Sequence, residues 1–202
     1  MDMDEVRNFE FRENNAIMES IKTILEELGE DSNREGLKGT PYRWAKAAEE
    51  WFGGYGIDPK DVLNRAFTEK ADMVIEGPIS FFSHCEHHIA PFYGKIWIGY
   101  IPSGVVTGLD KMVKLVEIYS RRLQIQERLT SQIADAMMDC LQCKGVMVVC
   151  KAFHMCVSSR ETKNASTKTI TSAARGIFLD PKEGRTPKEE FLSLIKGDMD
   201  NV

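Results

Sequence analysis

The sequence has no apolar run approaching the length of a membrane span, which excludes a helical integral membrane protein. It has no internal repeat and no low-complexity tract, which excludes a solenoid or an array. It also lacks a basic excess. Its 26 Lys and Arg stand against 31 Asp and Glu, a net charge of −5. Nucleic-acid binders carry a basic face, so that class is set aside, although a local basic pocket for a nucleotide stays open. Five cysteines are an odd number, and the start Met1-Asp2-Met3-Asp4-Glu5 is acidic where a secretory leader would be apolar. No disulfide framework is expected. In the expected setting, a reducing cytoplasm, clustered cysteine and histidine read as metal binding or catalysis. Histidine is scarce too, with only four residues.

Those four are not scattered. His84, His87 and His88 share five consecutive residues with Cys85, and His154 opens His154-Met155-Cys156. A thiolate and an imidazole three residues apart can reach one zinc ion from a tight turn. His154-x-Cys156 offers the same two donor types, on one face if the segment is a strand. Structural zinc sites are closed by four protein ligands, whereas catalytic sites keep three and leave one position to water. The ligand set read here is Cys85, His88 and Cys156, which leaves His87 and His154 as acid/base groups titrating near neutrality. The competing reading is ordinary packing, since a lone Cys-x-x-His is a weak signal and buried free cysteine is common.

A hydrophobic content of 43% in 202 residues suits one domain, or one domain with a helical appendage. Residues 13–29 are amphipathic, with Ile17, Ile21, Ile24, Leu25 and Leu28 at helical spacing and Gly29 as the stop. Thr40-Pro41 predicts a second helix with Thr40 as N-cap. Its apolar face is Trp44, Ala47, Ala48 and Trp51. Arg43 and Lys46 are neighbours on another face, which by itself reads as solvated surface. Asp58-Pro59 predicts a short third helix. Residues 73–84 and 91–101 read as strands joined through the Cys85–Ala90 loop. Helices follow over 109–121 (Leu109, Met112, Val113, Val116, Tyr119) and 125–142. From Val146 a strand is predicted whose even face runs through Cys150, Ala152, His154, Cys156 and Arg160 if it stays regular. A last strand covers about 166–178, Pro181 to Pro187 is loop, and Lys188 to Lys196 is a short helix. Cys140-x-x-Cys143 could be a redox pair or half a zinc knot, but no second Cys-x-x-Cys completes a knot and packing is preferred. Cys150 reads as core.

The order is three N-terminal helices, then strand-strand-helix-helix-strand-strand. It predicts an α+β fold with a four-stranded antiparallel sheet and a helix pair on one face. Two bare sheet edges predict oligomers.

Several stretches together resemble GTP cyclohydrolase I. They are Phe82-Ser83-His84-Cys85-Glu86-His87-His88, Gly94-Lys95, Gly99-Tyr100-Ile101-Pro102, Gly108-Leu109, and Glu117 through Thr130 with its Gln126-Glu127-Arg128-Leu129-Thr130. They continue with His154-Met155-Cys156, Ser166 through Ser172, and Thr40-Pro41-Tyr42-Arg43 with Lys46. The resemblance runs from about residue 16 to 178. It implies the tunnelling fold (T-fold), with residues 1–70 as an N-terminal helical region and 71–202 as the catalytic domain. It implies a homodecamer with active sites shared between subunits, and conversion of GTP and water to formate and 7,8-dihydroneopterin triphosphate. In the family's terms Cys85, His88 and Cys156 would hold zinc, which activates water for attack at guanine C8. His154 would protonate N7, and His87 would move protons in the later steps. Glu127 would accept from N1–H and the 2-amino group of guanine; by itself it reads as an ion-pair partner for Arg128 or a helix neighbour. Lys111, Arg160, Arg43 and Lys46 would bind triphosphate, the last two by bridging subunits. Three positions depart from the family pattern, all near the phosphates: Asp110 stands for serine, Lys114 for arginine and Glu161 for glycine. Two other readings compete. One is a related enzyme on another purine or pterin. The other is a non-catalytic zinc protein in which His87 or His154 closes the tetrahedron.

Overall fold

The computed structural model describes residues 15–160, 166–180 and 186–200. Glu161 and most of the loop after Pro181 lie outside the described residues. Helices α1 (Asn15–Glu27), α2 (Thr40–Trp51) and α3 (Pro59–Val62) come first, followed by strands β1 (Ala66–Thr68), β2 (Val74–Cys85), β3 (Pro91–Ile101) and β4 (Val105–Thr107). Then come α4 (Leu109–Ser120), β5 (Leu123–Gln124), α5 (Gln126–Leu141), β6 (Gly145–His154) and α6 (Met155–Ser158). The chain closes with β7 (Lys168–Gly176), a 3-10 turn at Ile177–Leu179, and α7 (Pro187–Asp200).

The main sheet has the order β5-β2-β3-β6-β7. Its four long strands pair antiparallel, as expected. A two-residue parallel rung, β5 on β2, extends it, and β1 with β4 forms a separate ribbon. Both additions are too short to show a period in the sequence. Even-numbered residues of β3 and β6 face α4 and α5. There Ile96, Ile98, Tyr100, Val146, Val148 and Cys150 pack on Met112, Leu115, Leu129, Ile133 and Met137. Each such buried side chain is worth roughly 1.5–3 kcal/mol of transfer free energy.

The reverse face is covered at one end by α7. Trp97, Met147 and Val149 pack there against Phe178, Phe191 and Ile195. The helix pair therefore lies on one face as read, but the last helix is longer than expected and takes the other. Gly99 makes this possible: a Cβ there would stand 2.4 Å from the Phe191 ring.

Two local expectations are corrected. The N-cap of α2 is Gly39, with no side-chain cap bond. Thr40 instead uses its hydroxyl oxygen to accept from Arg43 Nη2 at 3.1 Å. The strand through His154 does not stay regular. Its last rung pairs His154 with Phe92, and β3 begins one residue earlier at Pro91, so no ladder continues past it. The chain turns into α6, and Cys156 and Arg160 reach their places from that turn, not from a shared strand face.

Candidate functional site

The end of β2 and the start of β3 are joined by a tight turn. Cys85 N–H donates to Ala90 O and Ile89 N–H to Cys85 O, both at 2.9 Å. Ile89 sits at φ 54, a left-handed backbone that costs a branched residue roughly 1–2 kcal/mol. The turn buries Cys85 and leaves Glu86, His87 and His88 at the surface. His84 points away, its ring 5.2 Å from Trp51 and 5.1 Å from Phe52 of the α2 end. Burial there lowers its pKa and leaves Nδ1 without a hydrogen-bond partner.

Cys85 Sγ lies 3.6 Å from His88 Nδ1. Cys156, delivered by α6, completes a group whose three donor atoms all lie within 4.8 Å of one another and could hold a metal ion. Around a tetrahedral zinc, sulfur and nitrogen ligands stand about 3.6 Å apart and two sulfurs about 3.8 Å. The donor set therefore fits that ion in kind and spacing. The Cys156 thiol is pushed up by burial and by the Cys85 sulfur beside it. A bound cation reverses that pressure by favouring the thiolates.

His154 ends β6 with its ring stacked on Phe92, 4.7 Å away and 3° from parallel. Its Nε2 lies 2.8 Å from Gln126 Oε1. The Gln126 amide cannot be turned round, because its Nε2 donates to the carbonyls of Cys150 and Thr169 and to the Thr171 hydroxyl, each at 3.1 Å. Nε2 of His154 therefore carries a proton in the neutral and the charged ring alike, and Nδ1 is the nitrogen that titrates. Burial lowers the His154 pKa, and the charge of Glu127 opposes this. Gln126 had no role in the sequence reading. Its only signal there was its place beside Glu127.

Glu127 is exposed in the first turn of α5 and does not pair with Arg128. Arg128 instead grips Glu86 through two bonds, 2.5 and 3.1 Å, and holds that carboxyl below its usual range. Among the described residues Glu127 is in no ion pair. Arg160 is tied to the donor cluster, with Nε donating to Cys156 O at 3.0 Å. The other candidate cations have local partners. Lys111 meets Asp110 at 3.4 Å, Lys46 meets Glu49 at 3.3 Å, and Arg43 donates to Gly36 O and Thr40 Oγ1. His87 is exposed, its ring 6.3 Å from that of His88. Cys143 and Cys150 are buried in the core, and Cys140 packs against it.

Fold and cluster together define an α+β protein with a Cys-His-Cys group that could hold a metal ion at the ends of its central strands. The family model for GTP cyclohydrolase I matches residues 17–196, and the chain belongs to that family. "GTP cyclohydrolase 1" of Clostridium perfringens (strain ATCC 13124) is 48% identical over 179 residues, covering 88% of this chain and 97% of that protein. "GTP cyclohydrolase 1" of Streptococcus pyogenes serotype M18 is 50% identical over 181 residues, covering 89% and 92%. Among solved structures, the archaeosine synthase QueF-Like in its apo form matches at 18% identity and a TM-score of 0.44, over 54% of this chain and 97% of that one. A likeness at that level carries no weight on function.

Proposed function

We propose that this protein converts GTP and water to 7,8-dihydroneopterin triphosphate and formate, the entry to folate-, biopterin- or deazapurine-type products, with zinc as its resident metal. The observation that carries this reading is the convergence of the Cys85, His88 and Cys156 donors in a member of this family. Cys85, His88 and Cys156 would hold the zinc, which would supply Lewis acidity and make a water easier to deprotonate. The remaining work belongs to the chain's own groups. Glu127 accepts from guanine N1–H and the 2-amino group, a paired contact that adenine does not offer. His154, with Nε2–H committed to Gln126, gains and loses at Nδ1 the proton that goes to purine N7. His87 exchanges protons in formamide hydrolysis and ribose rearrangement. Arg160 and Lys111 bind the triphosphate, joined by Arg43 and Lys46 from a neighbouring subunit of a cytoplasmic homodecamer. Residues 71–202 form the catalytic domain and residues 1–70 its helical extension.

Anaerobic incubation of the zinc-loaded protein with GTP tests this. Formate and a pterin that fluoresces after oxidation should appear in equal amounts. A metal-loaded protein that releases no formate from GTP rules the activity out.

A further inference from the structure

The turn that carries Cys85 and His88, two of the three metal donors, and the helix turn that carries Glu127 are separate pieces of chain. Backbone contact between them is slight: the two-residue rung of β5 on β2, and Glu86 N–H donating to Gln124 O at 3.0 Å. Among the described residues one side-chain pair joins them directly. Arg128 Nη1 and Nη2 each meet one carboxylate oxygen of Glu86, in a fork-to-fork arrangement. Two parallel bonds fix an angle as well as a distance, which a lysine cannot do. Glu86 directly follows Cys85, and Arg128 directly follows Glu127.

The pair does little for stability. Its side chains are 42% and 33% exposed, and ion pairs so exposed add little to stability. Geometry is a different matter. The purine is rigid, and its C8 edge and its N1/2-amino edge must be met at the same moment by two groups on different elements. Displacement by about 1 Å can cost about 100-fold in rate.

We infer that Glu86 and Arg128 are positioning residues, a clamp that holds the metal-ligand loop in register with Glu127 so that both ends of the purine are engaged together. This rests on the proposed GTP reaction. The test uses full-length, zinc-loaded Arg128→Lys, Arg128→Ala and the exchanged pair Glu86→Arg/Arg128→Glu. In the two single variants kcat should fall about 10- to 100-fold, with KM within about threefold of the parent. Zinc content and unfolding midpoint should stay those of the parent, and the exchanged pair should regain part of the lost kcat. Amide hydrogen exchange of residues 86–90 should quicken about tenfold in Arg128→Ala, with or without substrate. Unchanged kcat overturns the clamp, and so does a loss that simply follows lost zinc or lost fold. If the parent itself fails to turn over GTP, the proposed reaction is what fails. The exchange rates then judge the clamp alone, and unchanged rates overturn it.

Discussion

The two ends of the candidate site are built differently. At the metal and purine end the three donors and His154 are set by secondary structure and close contacts, whereas His87 and Glu127 are exposed. Cys85 and His88 share one tight turn, Cys156 comes from α6, and His154 is stacked on Phe92 and held by Gln126. At the phosphate end Lys111, Arg43 and Lys46 rest against local partners on α4 and α2, and only Arg160 is tied to the donor cluster. On the proposed reaction, pre-organisation falls where charge would develop, and binding alone would be left to adaptable cations. This contrast predicts that substitutions at the first end act on kcat and metal content, and those at the second on KM.

The largest effect is expected from Cys85→Ser or Cys156→Ser. Turnover should drop by more than about 10³-fold together with bound zinc, measured by metal analysis and steady-state rates. His154→Ala should lose about 10²- to 10⁴-fold in kcat yet keep its zinc; zinc lost in proportion would mean a closed structural site. Gln126→Ala should fall between full activity and that variant. It should also cost about 1–3 kcal/mol on unfolding, since two strand carbonyls lose their donor. At the other end, Arg160→Ala should raise KM for GTP about 10- to 100-fold with kcat little changed. Asp110→Ser, which frees Lys111 from its anionic neighbour, should lower KM a few-fold. A kcat effect at Arg160 as large as at His154 would erase the distinction.

The smallest effect concerns pH. His84 lies on the reverse side of the ligand turn, and burial lowers its pKa below the unfolded value, so folding favours its neutral ring. Its contribution is complete above the unfolded pKa of about 6.5 and is lost as pH falls from there towards the folded value. His84→Leu should flatten the acid side of the stability profile without moving activity at neutral pH, as thermal unfolding between pH 5 and 8 would show.

Much of this was legible in the sequence because long elements leave long patterns. The strand at 91–101 matches β3 residue for residue, and the reading of 125–142 comes within one residue of α5 at each end. The misses have physical causes. Strands of two or three residues, and the four-residue α6, are too short to repeat the period that would betray them. The stripe read on α4 took in Leu109 and Val113, which are exposed, and omitted Leu115 and Ile118, which are buried. That helix is covered by the sheet, by α5 and by the Leu63 side of α3, so its buried face is wider than one stripe. The donor cluster was legible because histidine is scarce and every histidine lies within three residues of Cys85 or Cys156. Gln126 was not, because its role lies in who faces it across 28 residues of sequence. The competing reading of Glu127, a pair with Arg128 or a helix neighbour, rested on sequence proximity, whereas the fold brings Glu86 to Arg128.

X-ray absorption at the zinc edge of the full-length protein reads the proposed metal shell directly. One zinc per chain is expected, with two sulfurs near about 2.3 Å and two light atoms near about 2.0–2.1 Å, one of them displaced when a substrate analogue binds. A shell of four protein ligands that no analogue perturbs, or a shell with fewer than two sulfurs, would contradict it.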